Sequence, residues 1–180
     1  MGLGLYVHIP FCRSKCHYCD FCSMPDLSRV DAYLDALEEE AALLMQHCGK
    51  LAPETIFIGG GTPTLLEEKA WHRLAAMFNR TFDLSALWEW SVEGNPESVS
   101  LKLAKTLKAI GVNRFSMGVQ SMDAGLLKAI GRIHSLEQVE LAFEALRQAG
   151  FDNLNLDLMT GLPGQTLSSI EEVLSWVRHF

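Results

Sequence analysis

Four of the five cysteines, Cys12, Cys16, Cys19 and Cys22, fall on one short stretch, with Cys48 well apart. The first three have the spacing Cys-x3-Cys-x2-Cys. Three thiolates on one loop can converge on a cubane-type 4Fe-4S cluster, because each iron takes one soft ligand and a short loop can curl round it. With only three ligands one iron stays open, able to chelate a small molecule through nitrogen and oxygen. The alternative chemistry is a structural zinc site completed by Cys22 or His17, as closed tetrahedral coordination requires. Zinc sites usually pair two Cys-x-x-Cys elements at a distance, and no such distant second element occurs, but Cys22 keeps that alternative open. An odd, bunched set of cysteines is not a secreted disulfide framework, so reduced thiols in a cytosolic protein are expected.

The cysteine loop has to be held by the elements around it. Short apolar runs over residues 5–9, 55–59, 88–93, 114–120 and 153–159 alternate with longer helical patterns, which predicts about five βα units around a parallel sheet. Helices are expected over 28–49 and 100–111, and over 135–150, where Ser135 with Gln138 forms a capping box and Gly150 ends the turn. The strands have two unlike faces. Trp88, Trp90 and Val92 alternate with Glu89, Ser91 and Glu93, and Phe115, Met117 and Val119 alternate with Arg114, Ser116 and Gln120. In the last strand Leu154, Leu156 and Leu158 alternate with Asn153, Asn155 and Asp157. Helices need the apolar face, so the polar faces are expected to line a wet or ligand-filled lumen. A solvent-exposed antiparallel sheet is the alternative, but long connecting helices favour crossovers over hairpins.

At 180 residues with 48% hydrophobic content, the chain can bury a core and reads as one domain over 1–180. A net charge of -7 with no basic cluster excludes a field that would attract nucleic acid or an anionic bilayer. No run approaches membrane-spanning length. An amphipathic helix over 170–180 reaches Phe180 with no breaker after it, so the barrel is expected to be unfinished, with a further strand and a carboxy-terminal region missing. His47, His72, His179 and Cys48 lack ligand spacing, and Trp71, Trp88, Trp90 and Trp176 fit apolar faces. The methionines read as core filler.

Several longer motifs share one order along the chain. They are Tyr6-Val7-His8-Ile9-Pro10-Phe11-Cys12, the aromatic Tyr18 before Cys19, Gly59-Gly60-Gly61-Thr62-Pro63 and Glu93-Gly94-Asn95-Pro96. Gly118-Val119-Gln120-Ser121, Gly131-Arg132-Ile133-His134 and Gly161-Leu162-Pro163-Gly164 complete the set. Together they resemble the radical S-adenosylmethionine (SAM) superfamily, and within it the oxygen-independent coproporphyrinogen III oxidase family and its haem chaperone branch. The resemblance implies a partial (β/α) TIM-like barrel, truncated after about five βα units.

It also implies a 4Fe-4S cluster on Cys12, Cys16 and Cys19, and SAM held by the residues matching Gly60, Gly61, Thr62, Glu93, Gln120, Arg132 and Asp157, with Tyr6 and Tyr18 beside it. The chemistry of those residue types agrees. An arginine suits the methionyl carboxylate bidentately, carboxylates and an amide suit the amine and ribose hydroxyls, and a glycine run lets backbone amides and carbonyls approach the methionyl amine. In that superfamily a reduced cluster passes an electron to SAM at the open iron and cleaves a carbon-sulfur bond, so an electron donor is an implied partner. The oxidases carry a Cys-x-Cys pair at the end of the loop, whereas Asp20-Phe21 follows Cys19 here. That departure favours the chaperone branch, whose members bind haem as cargo and pass it to an acceptor protein. The oxidase activity, on a porphyrinogen in porphyrin biosynthesis, is the alternative.

Overall fold

The computed structural model describes residues 2–178. Five strands, β1 (Gly4–Ile9), β2 (Thr55–Gly60), β3 (Glu89–Gly94), β4 (Arg114–Gln120) and β5 (Asn153–Leu158), form one sheet in sequence order. Every neighbouring pair is parallel, as the alternation with helices requires. The crossovers contain α1 (Val30–Cys48), α2 (Glu68–Thr81), α3 (Leu101–Ala109), then α4 (Ala124–Ala129) with α5 (Leu136–Gln148), and α6 (Leu167–Val177) follows β5.

Local chemistry sets the helix ends. Ser100 and Asp123 accept the backbone N–H of Leu103 and Leu126, and Ser135 and Gln138 form the expected capping box. α6 starts at Leu167, earlier than hydrophobic periodicity alone predicts, because Thr166 and Ser169 cap each other's backbone in a second box. The end of that expected helix, with His179, lies outside the described residues.

One face of the sheet makes the core. Val7, Ile9, Ile56, Ile58, Trp90, Val92, Phe115, Met117 and Val119 are all buried against the helices. α2 meets them with Trp71, Leu74, Ala75 and Phe78, spaced to share one helix face. Two expectations about apolar faces need correction. Trp88 lies before β3 and is 64% exposed, because its position precedes the part of the strand that the helices cover. Leu154 and Leu156 are only half-buried and Leu158 is exposed, since β5 is an edge strand.

The opposite face is stacked in rows by the register. Tyr6, Phe57, Ser91, Arg114 and Asn153 pair across all five strands as a floor. Above them His8 pairs with Gly59, and Glu93 with Ser116, which pairs with Asn155. Gly118 pairs with Asp157 higher still. Glycines and serines in these upper rows leave room that the floor's two aromatic rings and guanidinium do not.

Candidate functional site

The room above the floor is a cavity of about 160 Å³ at the carboxyl ends of the strands. Cys12, Cys16 and Cys19 line it together with Gly60, Gly61, Glu93, Gln120, Arg132 and Asp157. Tyr18 lies in the same wall. Burial, opposed by the Arg132 charge and helped by the adjacent Cys16 and Cys19, pushes its phenol up to about 12.

The cysteine loop is tied to the sheet by backbone bonds. Gly61 N–H donates to Ile9 O at 2.9 Å and Thr62 N–H to Phe11 O at 2.6 Å, which brings the end of β2 under the loop. A Cβ on Gly61 would stand 2.5 Å from Phe11 O, so only glycine allows this approach. Gly60 N–H donates to Glu93 Oε2 at 3.2 Å. All three amides of the glycine turn are therefore engaged within the protein. Its carbonyl side, not its amides, is what a ligand ammonium could meet, which narrows the expectation from sequence.

The carboxylates share this side of the sheet. Burial raises the Glu93 pKa, the Gly60 amide opposes that rise, and the charge of Asp157 adds to it. Asp157 accepts from Asn155 Nδ2 at 2.7 Å and from Ser116 Oγ at 3.2 Å. Gln120 takes φ 67, a left-handed conformation that is strained for a residue with a side chain, and the β4–β5 register shifts there. That distortion ends the strand and turns Gln120 into the cavity wall.

Arg132 is more constrained than its sequence reading as a bidentate clamp. Its Nη2 donates to Gly118 O at 2.6 Å and to Asn95 Oδ1 at 2.8 Å, and its Nε donates to His134 Nδ1 at 3.3 Å. Only Nη1 remains, 3.8 Å from Cys16 Sγ. A carboxylate ligand would therefore be met by one nitrogen. His134 is buried and donates from Nε2 to Val119 O at 3.2 Å. Burial, reinforced by the Arg132 charge, lowers its pKa to about 4 and keeps it neutral.

Two predicted residues lie off the cavity wall. Tyr6 belongs to the floor row, stacked on Phe57 with its hydroxyl 3.2 Å from His8 Nδ1. Thr62, 2% exposed, stands behind the loop with Oγ1 3.2 Å from Cys12 Sγ. Asn95 lines the cavity and was not singled out by sequence, although it shares a motif and a parity with Glu93. His134 was missed in the same way beside Arg132.

The donor set fits a cluster. Neither His17 nor Cys22 lines the cavity, and both are exposed, so neither would complete a zinc site there as placed. Among the described residues no three His, Cys, Asp or Glu side chains come together to hold a single metal ion. Three free, half-buried thiols ranged round a cavity suit a larger soft-ligand group.

The sequence profile of the radical SAM superfamily matches residues 6–177. This chain belongs to the radical SAM superfamily. Membership implies a 4Fe-4S cluster and SAM. The chain is 48% identical over 172 residues to the Bacillus subtilis (strain 168) protein named Heme chaperone HemW, covering 94% of this chain and 45% of that one. It is 39% identical over 170 residues to the Bradyrhizobium diazoefficiens protein named Oxygen-independent coproporphyrinogen III oxidase, covering 92% and 38%. The solved structure of Escherichia coli coproporphyrinogen III oxidase (HemN), described as a radical SAM enzyme, matches with TM-score 0.91 at 34% identity, over 99% of this chain and 42% of that one. The chain thus spans about half or less of the relatives it matches. Its five-stranded sheet is the corresponding part of a radical SAM TIM-like barrel. Among the described residues no helix is long and apolar enough to cross a membrane.

Proposed function

We propose that this chain is the radical SAM core of a cytosolic haem chaperone. It binds a 4Fe-4S cluster through Cys12, Cys16 and Cys19, and SAM against Gly60, Gly61, Glu93, Gln120, Arg132 and Asp157, with Tyr18 at the side, Tyr6 below and Thr62 behind the cysteine loop. Haem is the cargo, passed to an acceptor protein, and an electron donor serves the cluster. The observation that carries the cofactor reading is the single cavity shared by the three thiols and by Glu93, Arg132 and Asp157. When bound, the cluster and SAM together supply one-electron chemistry. The chain's own part is to orient them: Glu93 and the carbonyls of the glycine turn face an ammonium, and Arg132 Nη1 faces a carboxylate.

Two features support the chaperone branch. One is the likeness to proteins named Heme chaperone HemW, at 48% and 42% identity in two organisms. The other is the loop ending Cys19-Asp20-Phe21-Cys22, which lacks the oxidases' Cys-x-Cys pair. Exposed free Cys22 and Cys48 suit a reducing compartment. Oxidative decarboxylation of coproporphyrinogen III is the second reading, favoured by the similarity to the oxidases named above. The test uses full-length protein with an intact cluster, under reducing conditions with SAM. Haem retention without porphyrinogen turnover is expected, and protoporphyrinogen formed at a catalytic rate would replace the chaperone reading with the oxidase one.

A further inference from the structure

Asn95 and His134 are polar side chains at the site to which the cofactor reading gives no part. Asn95 Nδ2 lies 3.1 Å from Thr62 Oγ1, and Thr62 Oγ1 lies 3.2 Å from Cys12 Sγ. Asn95 Oδ1 lies 2.8 Å from Arg132 Nη2, and Arg132 Nη1 lies 3.8 Å from Cys16 Sγ. One hydrogen-bonded chain therefore runs from one cysteine to another, with Asn95 at its centre.

The chemistry of the groups gives that chain a direction. An amide nitrogen can only donate, so Thr62 Oγ1 accepts from Asn95 and its own proton is left to turn toward Cys12 Sγ. The amide oxygen can only accept, so it holds one proton of Arg132 Nη2 while Gly118 O takes the other at 2.6 Å. His134 Nδ1 accepts the Nε proton at 3.3 Å. Its ring cannot swing away, because Nε2 is bonded to Val119 O and the side chain is wholly buried. Three anchors hold the guanidinium, and the remaining nitrogen points at Cys16.

We propose that Asn95 and His134 are positioning residues that aim the Thr62 hydroxyl at the Cys12 thiolate and the Arg132 guanidinium at the Cys16 thiolate, raising the reduction potential of the cluster. This rests on the assignment of Cys12 and Cys16 as cluster ligands. A donor on a thiolate withdraws electron density and stabilises the more negative, reduced cluster. The guanidinium adds a charge-assisted contact. Asn95 and His134 carry no charge themselves, so their effect on the potential comes through orientation.

The test is a dithionite titration of reconstituted full-length protein without SAM, with the reduced cluster followed by electron paramagnetic resonance. Thr62→Val, nearly the same shape, shifts the midpoint potential to more negative values, and Thr62→Ser, which keeps the hydroxyl, restores it. Asn95→Ala shifts it in the same direction, since it removes both the group that aims the Thr62 hydroxyl and one of the three anchors of the guanidinium. His134→Leu shifts it in the same direction, and His134→Asn, whose oxygen can accept the Nε proton, brings it part of the way back. Unchanged or more positive potentials in folded, iron-replete Thr62→Val and Asn95→Ala proteins would overturn the proposal. If His134→Leu fails to fold, His134→Asn takes its place, and a potential equal to or above the wild-type value there overturns the part given to His134. A wild-type protein that takes up no 4Fe-4S cluster would instead overturn the underlying cluster assignment, which iron analysis reads separately.

Discussion

Cys12, Cys16 and Cys19 are half-buried at one cavity, while Cys22 and Cys48 are exposed. Anaerobic reconstitution should therefore yield about four irons per chain, as a cubane cluster requires. Cys12→Ser, Cys16→Ser or Cys19→Ser should each abolish the cluster's absorption, while Cys22→Ser and Cys48→Ser retain it. Iron loss in the Cys22 variant would mean a fourth ligand and no open iron. His134 gives a prediction in pH. Its folded-state pKa is lowered from 6.5 to about 4, so between those values the unfolded chain binds a proton that the folded chain does not. Stability is whole above pH 6.5 and declines as the pH falls toward 4, by about 3 kcal/mol in all. Urea unfolding of His134→Asn should show a flatter decline over that window. An unchanged profile would mean that His134 does not stay neutral in the fold.

At the scale of elements, the end of β2 and the cysteine loop depend on each other. Gly61 lets the loop carbonyl of Phe11 come close, so Gly61→Ala should lose cluster uptake while far-ultraviolet circular dichroism keeps its helical signal. Uptake at the wild-type level would show that the loop can shift without penalty. β4 sends Phe115, Met117 and Val119 into the core. Phe115 is fully buried on the helix-facing side, so Phe115→Ala should cost about 3–5 kcal/mol in denaturant unfolding. The alternation that buries Phe115, Met117 and Val119 also turns Arg114, Ser116 and Gly118 toward the lumen. One strand thus serves stability and site through opposite faces.

For the molecule as a whole, the cavity lies between the loop and the sheet, so its two walls are completed only when both are ordered. SAM should then stabilise the cluster-loaded protein by about 2.7 kcal/mol at a concentration one hundred times its Kd, and the apo-protein much less. A thermal-shift series on the two forms checks this. Equal shifts would mean that SAM does not depend on the cluster.

The strand set, the parallel sheet, the capping box at Ser135 and the cysteine spacing were all legible in the sequence, because each depends on neighbours a few residues apart. The polar parity of Glu93 and Asp157 was legible too, since a strand turns alternate side chains to one face. What needed the tertiary structure was how each group is used. Arg132 reads as a bidentate clamp until Asn95, far away in sequence, takes one of its nitrogens. Tyr6 drops to the floor row because register, which no single strand encodes, sets its height. Trp88 is exposed because burial depends on where the covering helices end. The chain's local pattern determined the elements and the cysteine loop, and long-range packing decided which donors remain free to meet a ligand.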